Sequence, residues 1–378
     1  MEELFIEIKN RIESQKLKLA HVSNLSDVSV SSISRFLNQT SRELEVDAVE
    51  RILKVVAPDL RVKFLKRYLL LCKRPKNLRM ALEMSKTHRW DSIFEKMLTK
   101  CLEDRNPEVS ELANIYLLLH KWQNQELSAK ELYNITRHKK ALYQEGKNLL
   151  RILETYALCS QSNFDFMVTS IGDVEKSIDM MDESYFKKTY KARIAEIIMI
   201  INLRYYDNPK LVREYGKIIL NSPCGHNLKA SSYFLIAQSY LFTDIDKLQK
   251  YYNKSLSIYE KYNNKNMIEA IKINQEFADM LWDKTDMTSF KCIENEILHT
   301  YKTNNLEKME ELVQHIDLTN ASPMEKYIVG LVTGNSDLLY SSLLSYKKIG
   351  DKFHSNLPRL ALLKLGENEF LINAIYEQ

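Results

Sequence analysis

Apolar side chains recur along this chain at the three- and four-residue spacing of helices. Phe5, Ile8 and Ile12 place one helix over residues 2–14, and a shorter one runs from about Lys18 to Ser26. The stretch DVSVSSISRFLNQ then reads as a turn and a third helix. Asp27 makes the turn, Ser29 or Ser31 caps, and Ile33, Phe36 and Leu37 form the buried stripe. Thr40 and Glu43 stand three apart as a capping box, which predicts a fourth helix with Val46, Val49, Ile52, Leu53 and Val56 on one face. Pro58 ends it. These four helices make a small domain, 1–58. From there on, helical segments follow one another over 59–378. Their starts are marked at Asn106-Pro107-Glu108, at the Ser128/Glu131 capping box and at Ser322-Pro323-Met324-Glu325.

Composition agrees with the pattern. The 378 residues hold only 8 Gly and 7 Pro, with no Gly before Gly146. Sheets draw on Gly and Pro for tight turns, whereas long helices joined by short polar loops do not. The expected class is therefore all-α. The net charge of +4 is unevenly placed. Residues 1–80 hold 16 of the 54 basic and 10 of the 50 acidic side chains, a surplus of +6, and the rest of the chain carries −2. Such asymmetry fits a polyanion partner at the N-terminal end, although a solvated basic face has the same signature.

Internal repetition is present but degenerate. In SSYFLIAQSYLF, Tyr233, Ile236, Ala237 and Tyr240 match the first helix of a tetratricopeptide repeat, with Ala237 at the usual glycine position. Leu248, Tyr252 and Ser255 resemble the second helix. A right-handed tetratricopeptide-like superhelix, with a concave face suited to extended peptides, is the architecture expected for 59–378.

Catalytic patterns are missing. There is no Gly-rich phosphate loop, no GxSxG and no HExxH. Cys72, Cys101, Cys159, Cys224 and Cys292 lack zinc spacing and read as core thiols of a reducing cytosol. Cys292 and His299, seven apart, read as packing. No enzyme activity, cofactor or metal is expected. The charged N-terminal stretch does not read as a signal peptide, and no apolar run reaches the roughly 20 residues of a membrane span. A cytoplasmic protein with no membrane partner is expected.

The most specific signal is the helix-turn-helix of the head: small Ser23, the turn at Asp27-Val28-Ser29, and the locking Ile33. Val30, Ser31, Ser32, Ser34 and Arg35 are then the outward residues of a recognition helix. Short polar side chains let it enter a major groove, where Arg35 reads guanine or holds phosphate. Lys16 and Lys18 are phosphate contacts in this reading, with Arg42, Lys63, Lys66 and Arg67 as further candidates.

A helix-turn-helix head before degenerate repeats resembles the peptide-sensing regulators of Gram-positive bacteria and their phages. Four segments carry a closer resemblance: SSYFLIAQSYLF, YYNKSLSIYEKYNNKNMI (251–268), NNLEKMEELVQHID (304–317) and YKKIGDKFHSNLPRLALLKLGENEFL (346–371). They are similar to AimR, the arbitrium receptor family of SPbeta-like Bacillus phages. The resemblance implies a homodimer that binds double-stranded operator DNA and activates transcription favouring lysis. It also implies inhibition by a short imported peptide with a basic residue near its C-terminus. Asp351 matches the family's acidic peptide contact. Glu294 and Asn295 fall at an amide/acid pair, Gln238 stands where the family has Asn, and Asn202 matches a helix Asn. Asn227 and Lys229 fall near an arginine of the family. His354 and Asn356 follow the DKF element, with Asn356 in place of Arg. A host or mobile-element quorum-sensing regulator of this architecture, or a helical-repeat interaction protein that does not bind DNA, is the alternative reading.

Overall fold

The computed structural model describes residues 2–38, 43–284 and 286–377. Among them every regular element is a helix, 22 in all, as the hydrophobic spacing predicts. The chain divides into two compact units.

The first unit comprises Met1–Glu154 with Ser177–Tyr190. It opens with α1 (Glu2–Ser14), α2 (Leu19–Ser26), α3 (Val30–Leu37), α4 (Val46–Val56) and α5 (Arg61–Leu71). Ile8, Val22, Ile33, Val49, Ile52 and Leu53 are fully buried between them. Phe5 meets Phe36 edge-on at 5.0 Å, and Phe36 meets Tyr68 at 5.8 Å. Asp27 sits in the left-handed region (φ 51°), where the short side chain of Asp is tolerated. Ser29 is the N-cap of α3, its hydroxyl accepting from the Ser32 amide.

The start of the fourth helix differs from its expected one. Thr40 lies outside the described residues, and α4 begins at Val46 without a side-chain cap. Glu43 instead turns to the head of α6 (Pro75–Thr87). Its carboxylate accepts from the amides of Lys73 (2.8 Å) and Arg74 (3.0 Å) and from the Asn77 side chain (2.9 Å). The first turn of a helix leaves N–H groups without partners, and a carboxylate from elsewhere in the chain serves them as well as a local cap.

Packing also continues past Pro58. Arg11 pairs with Asp59 at 2.7 Å, Arg67 with Glu7 at 2.7 Å, and α5 lies on α1 and α4. The compact unit therefore extends through α6, α7 (Asp91–Leu102), α8 (Pro107–Gln123), α9 (Ala129–His138) and into α10 (Gln144–Ser160). Asn106 and Ser128 cap α8 and α9 as their motifs predict.

The second unit comprises Thr155–Lys176 with Lys191–Gln378. It takes the end of α10, most of α11 (Phe164–Asp179) and of α12 (Tyr185–Arg204), then α13 (Pro209–Asn221), α14 (His226–Gln238), α15 (Ile245–Lys261), α16 (Lys265–Leu281) and α17 (Ile293–Lys302). It closes with α18 (Leu306–Val313), α19 (Pro323–Thr333), α20 (Ser336–Lys348), α21 (Lys352–Lys364) and α22 (Glu369–Glu377). From α13 onward consecutive helices pack on one another, except that α19 packs on α17 rather than on α18, a contact pattern close to that of a repeat array. The α14–α15 pair is the tightest. Ala237, Leu248 and Ser255 are fully buried in it, and the Ser255 hydroxyl donates to the Ala230 carbonyl at 2.8 Å. Gly216 lets α13 approach α14, since a Cβ there would stand 2.7 Å from Ile236 Cδ1.

Candidate functional site

The α2–α3 element presents a small polar face. Val30, Ser31 and Arg35 are exposed, whereas Ser32 and Ser34 are half-buried. Of the five side chains expected to face outward, three therefore do so fully. The Ser32 hydroxyl accepts from Ser29 Oγ at 2.8 Å. Arg35 folds back along its own helix, Nε donating to the Ser31 carbonyl at 3.3 Å. Lys16 and Lys18 are exposed on the turn before α2. Arg67 is committed to Glu7, Lys66 lies over the Trp90 ring at 5.2 Å, and Arg42 lies outside the described residues. One contributor was not legible in sequence. Arg51 of α4 donates to both the carbonyl and the carboxylate of Asp27 at 3.1 Å, pinning the turn between α2 and α3.

In the second unit the candidate residues fall into four places. Asn202 is buried and donates to the Ile198 carbonyl of its own helix at 2.8 Å. Asn227 and Lys229 are half-buried on the first turn of α14. Gln238 is buried at the end of α14. It donates to Asn274 of α16 at 3.5 Å, and its own Oε1 has no hydrogen-bond partner. Across α16, Asn295 donates to the Ile273 carbonyl (3.0 Å) and to Glu276 (3.2 Å), with half-buried Glu294 beside it. Asn274 and Glu276 thus join an amide and carboxylate row that sequence reading caught only at Gln238, Glu294 and Asn295.

The fourth place is the densest. Asp351 is the N-cap of α21 and only 6% exposed. Its carboxylate accepts from the His354 amide at 3.1 Å and from His354 Nδ1 at 2.8 Å. Burial works against the charged form, but His354 and Arg204 outweigh it and hold Asp351 below the usual carboxylate range. Arg204, the last residue of α12, brings Nε to 3.9 Å. Three residues on, Asp207 accepts from Asn356 Nδ2 and from the Tyr376 hydroxyl, each at 3.0 Å. Beside this cluster lies a cavity of about 650 Å³ lined by Phe164, Tyr205, Tyr206, Lys348, Lys352 and Tyr376, among others. Gly350 closes one wall in the left-handed region (φ 71°), and a Cβ there would meet the Phe164 ring at 3.0 Å. Arg204, Asp207 and Tyr376 carry no local signal. They are far in sequence from the residues they hold.

Among the described residues no group of His, Cys, Asp and Glu is arranged to hold a metal, and no helix is long and apolar enough to cross a membrane. Cys292 stands at the N-cap position of α17 without a side-chain cap bond, and the His299 ring lies 4.7 Å from that of Phe290. Burial raises the Cys292 thiol to about 12 and Cys159 to about 11, leaving both protonated at neutral pH.

Residues 61–364, which include every candidate of the second unit, match the family described as AimR transcriptional regulator-like. The chain belongs to the AimR family. It is 26% identical over 351 residues to the AimR transcriptional regulator of Bacillus phage SPbeta, covering 90% of each chain. Its fold is that of selenomethionine-substituted phAimR, with a TM-score of 0.76, 21% identity, and coverage of 99% of this chain and 100% of that one. A phAimR structure with a ligand matches with a TM-score of 0.70 and 20% identity, over 86% of this chain and 98% of that one. The matched span begins with the first residue of α5 and leaves the α2–α3 face outside it.

Proposed function

We propose that this chain is a peptide-responsive, DNA-binding regulator of the arbitrium type. Residues 1–58 contact operator DNA, residues 59–378 form a tetratricopeptide-like array that takes the peptide, and the chain acts as a homodimer in the cytoplasm. The free protein drives the lytic programme, and a short peptide with a basic residue near its C-terminus inhibits it. What carries the reading is the family match over 61–364, which encloses every candidate peptide contact. The α3 face supports the DNA half. An exposed valine, serine and arginine on a capped helix, with Lys16 and Lys18 nearby, suit a groove lined with phosphates.

A gel shift with DNA from upstream of the gene tests the DNA half. Specific binding that weakens steeply with salt is expected, together with loss of specificity in Arg35→Ala. Binding that is indifferent to salt and to this substitution would refute it. Calorimetry with the peptide encoded beside the gene tests the other half. Micromolar or tighter binding is expected, lost in Asp351→Asn.

A further inference from the structure

Asp351 is already occupied in the chain by itself. His354 takes it through its backbone amide and its Nδ1, and the rest of its charge faces Arg204. The two partners differ in kind. His354 makes close bonds from the same helix turn. Arg204 stops at 3.9 Å without a hydrogen bond, and its side chain is 42% exposed against 8% for Asp351. A buried carboxylate needs a counter-charge, but a half-exposed guanidinium at that distance holds it loosely.

We propose that Arg204 is the specificity-determining gate of this subsite: a ligand's guanidinium or ammonium enters by taking Arg204's place on Asp351. The inference rests on the peptide reading of the site. The cavity of about 650 Å³ comes up to the neighbours of the pair: Tyr205, Gly350, Lys352 and Ser355 line it, while Arg204 and Asp351 themselves do not. The displacement also has a built-in consequence. Arg204 ends α12, and the turn after it is tight. The Asn208 amide donates to the Asn202 carbonyl at 2.7 Å, and Asp207 sits at φ 47°. Asp207 holds Asn356 of α21 and Tyr376 of α22. A shift of Arg204 passes to that turn and weakens the Asp207–Tyr376 bond to α22, while Arg359 keeps its bonds to Asn373 of α22.

The experiment uses the full chain and two pools of short synthetic peptides. The pools are random except that one carries arginine near its C-terminus and the other norleucine. Retention is measured by equilibrium dialysis with mass spectrometry. Wild type is expected to prefer the arginine pool, and Arg204→Met to retain the same peptides roughly three- to tenfold more tightly, with the norleucine pool unmoved. Should Arg204→Met destabilise the chain, Arg204→Lys is expected to give an intermediate gain. Equal or weaker retention by the Arg204 variants, with retention lost in Asp351→Asn, overturns the gate but leaves the peptide reading standing. No preference for arginine in wild type, or retention unaffected by Asp351→Asn, removes the peptide reading and the gate together. Amide exchange over α22 is expected to quicken in Asp207→Ala and in wild type saturated with retained arginine peptides. Unchanged exchange in both overturns the tie to α22.

Discussion

Two carboxylates show how burial and neighbours set charge in opposite directions. Burial first, and then the carboxylates of Glu108 and Glu83, raise Glu145 to about 7 from 4.5, against Arg79 at 3.4 Å. An acid raised on folding holds its proton more tightly in the folded chain. Its contribution to stability is full below about 4.5 and is lost as pH rises through about 7. Glu145→Gln should flatten the fall in melting temperature over that window; an identical pH dependence in both proteins would contradict the assignment. Asp351 is the reverse case. Its folded value lies below the ordinary 3.8, so its stabilisation is present above that pH and is lost as pH falls through the folded value. Asp351→Asn keeps a capping side chain but not the charge. It should lower the melting temperature at neutral pH, where the charge stabilises the fold, and converge on wild type as pH falls through the folded value, as urea and thermal melts at several pH values would show.

At the scale of elements, the head depends on one cap and one pin. Ser29→Ala removes the cap of α3 and should cost about 1 kcal/mol in denaturant unfolding, whereas exposed Ser31→Ala should cost almost nothing. Equal effects of the two would show that the cap does not hold the helix. In the second unit, Gly216 sets the distance between α13 and α14. The Ile236 side chain that an added methyl would strike is itself only 4% exposed and has little room to move. Gly216→Ala should therefore destabilise by about 1–3 kcal/mol, the usual range for overpacking, despite the better helix propensity of alanine.

For the whole molecule the expected signature of DNA binding is electrostatic. All of the net positive charge lies within residues 1–80. The logarithm of the binding constant should fall linearly with the logarithm of salt concentration, and Lys16→Gln with Lys18→Gln should reduce the slope by about one per phosphate contact removed. A slope unchanged in the double variant would move the contact surface away from the turn before α2.

The sequence by itself determined what depends on near neighbours. Ser128 with Glu131, Ser322 with Glu325, and the turn at Asp27 were legible because caps and helical stripes are built from residues three and four apart. The all-helical class followed from the same spacing and from scarce Gly and Pro. Which residues of the candidate site stand together was decided only by the tertiary structure. Glu43 leaves its expected box to serve α6, 30 residues away at Lys73, and Arg51 reaches back to Asp27. Asp207 joins Asn356 and Tyr376 across 149 and 169 residues. The periodicity of a helix says which of its faces is buried. It does not say which distant helix will supply the partner, because that register is set by packing between helices and leaves no local mark in the chain.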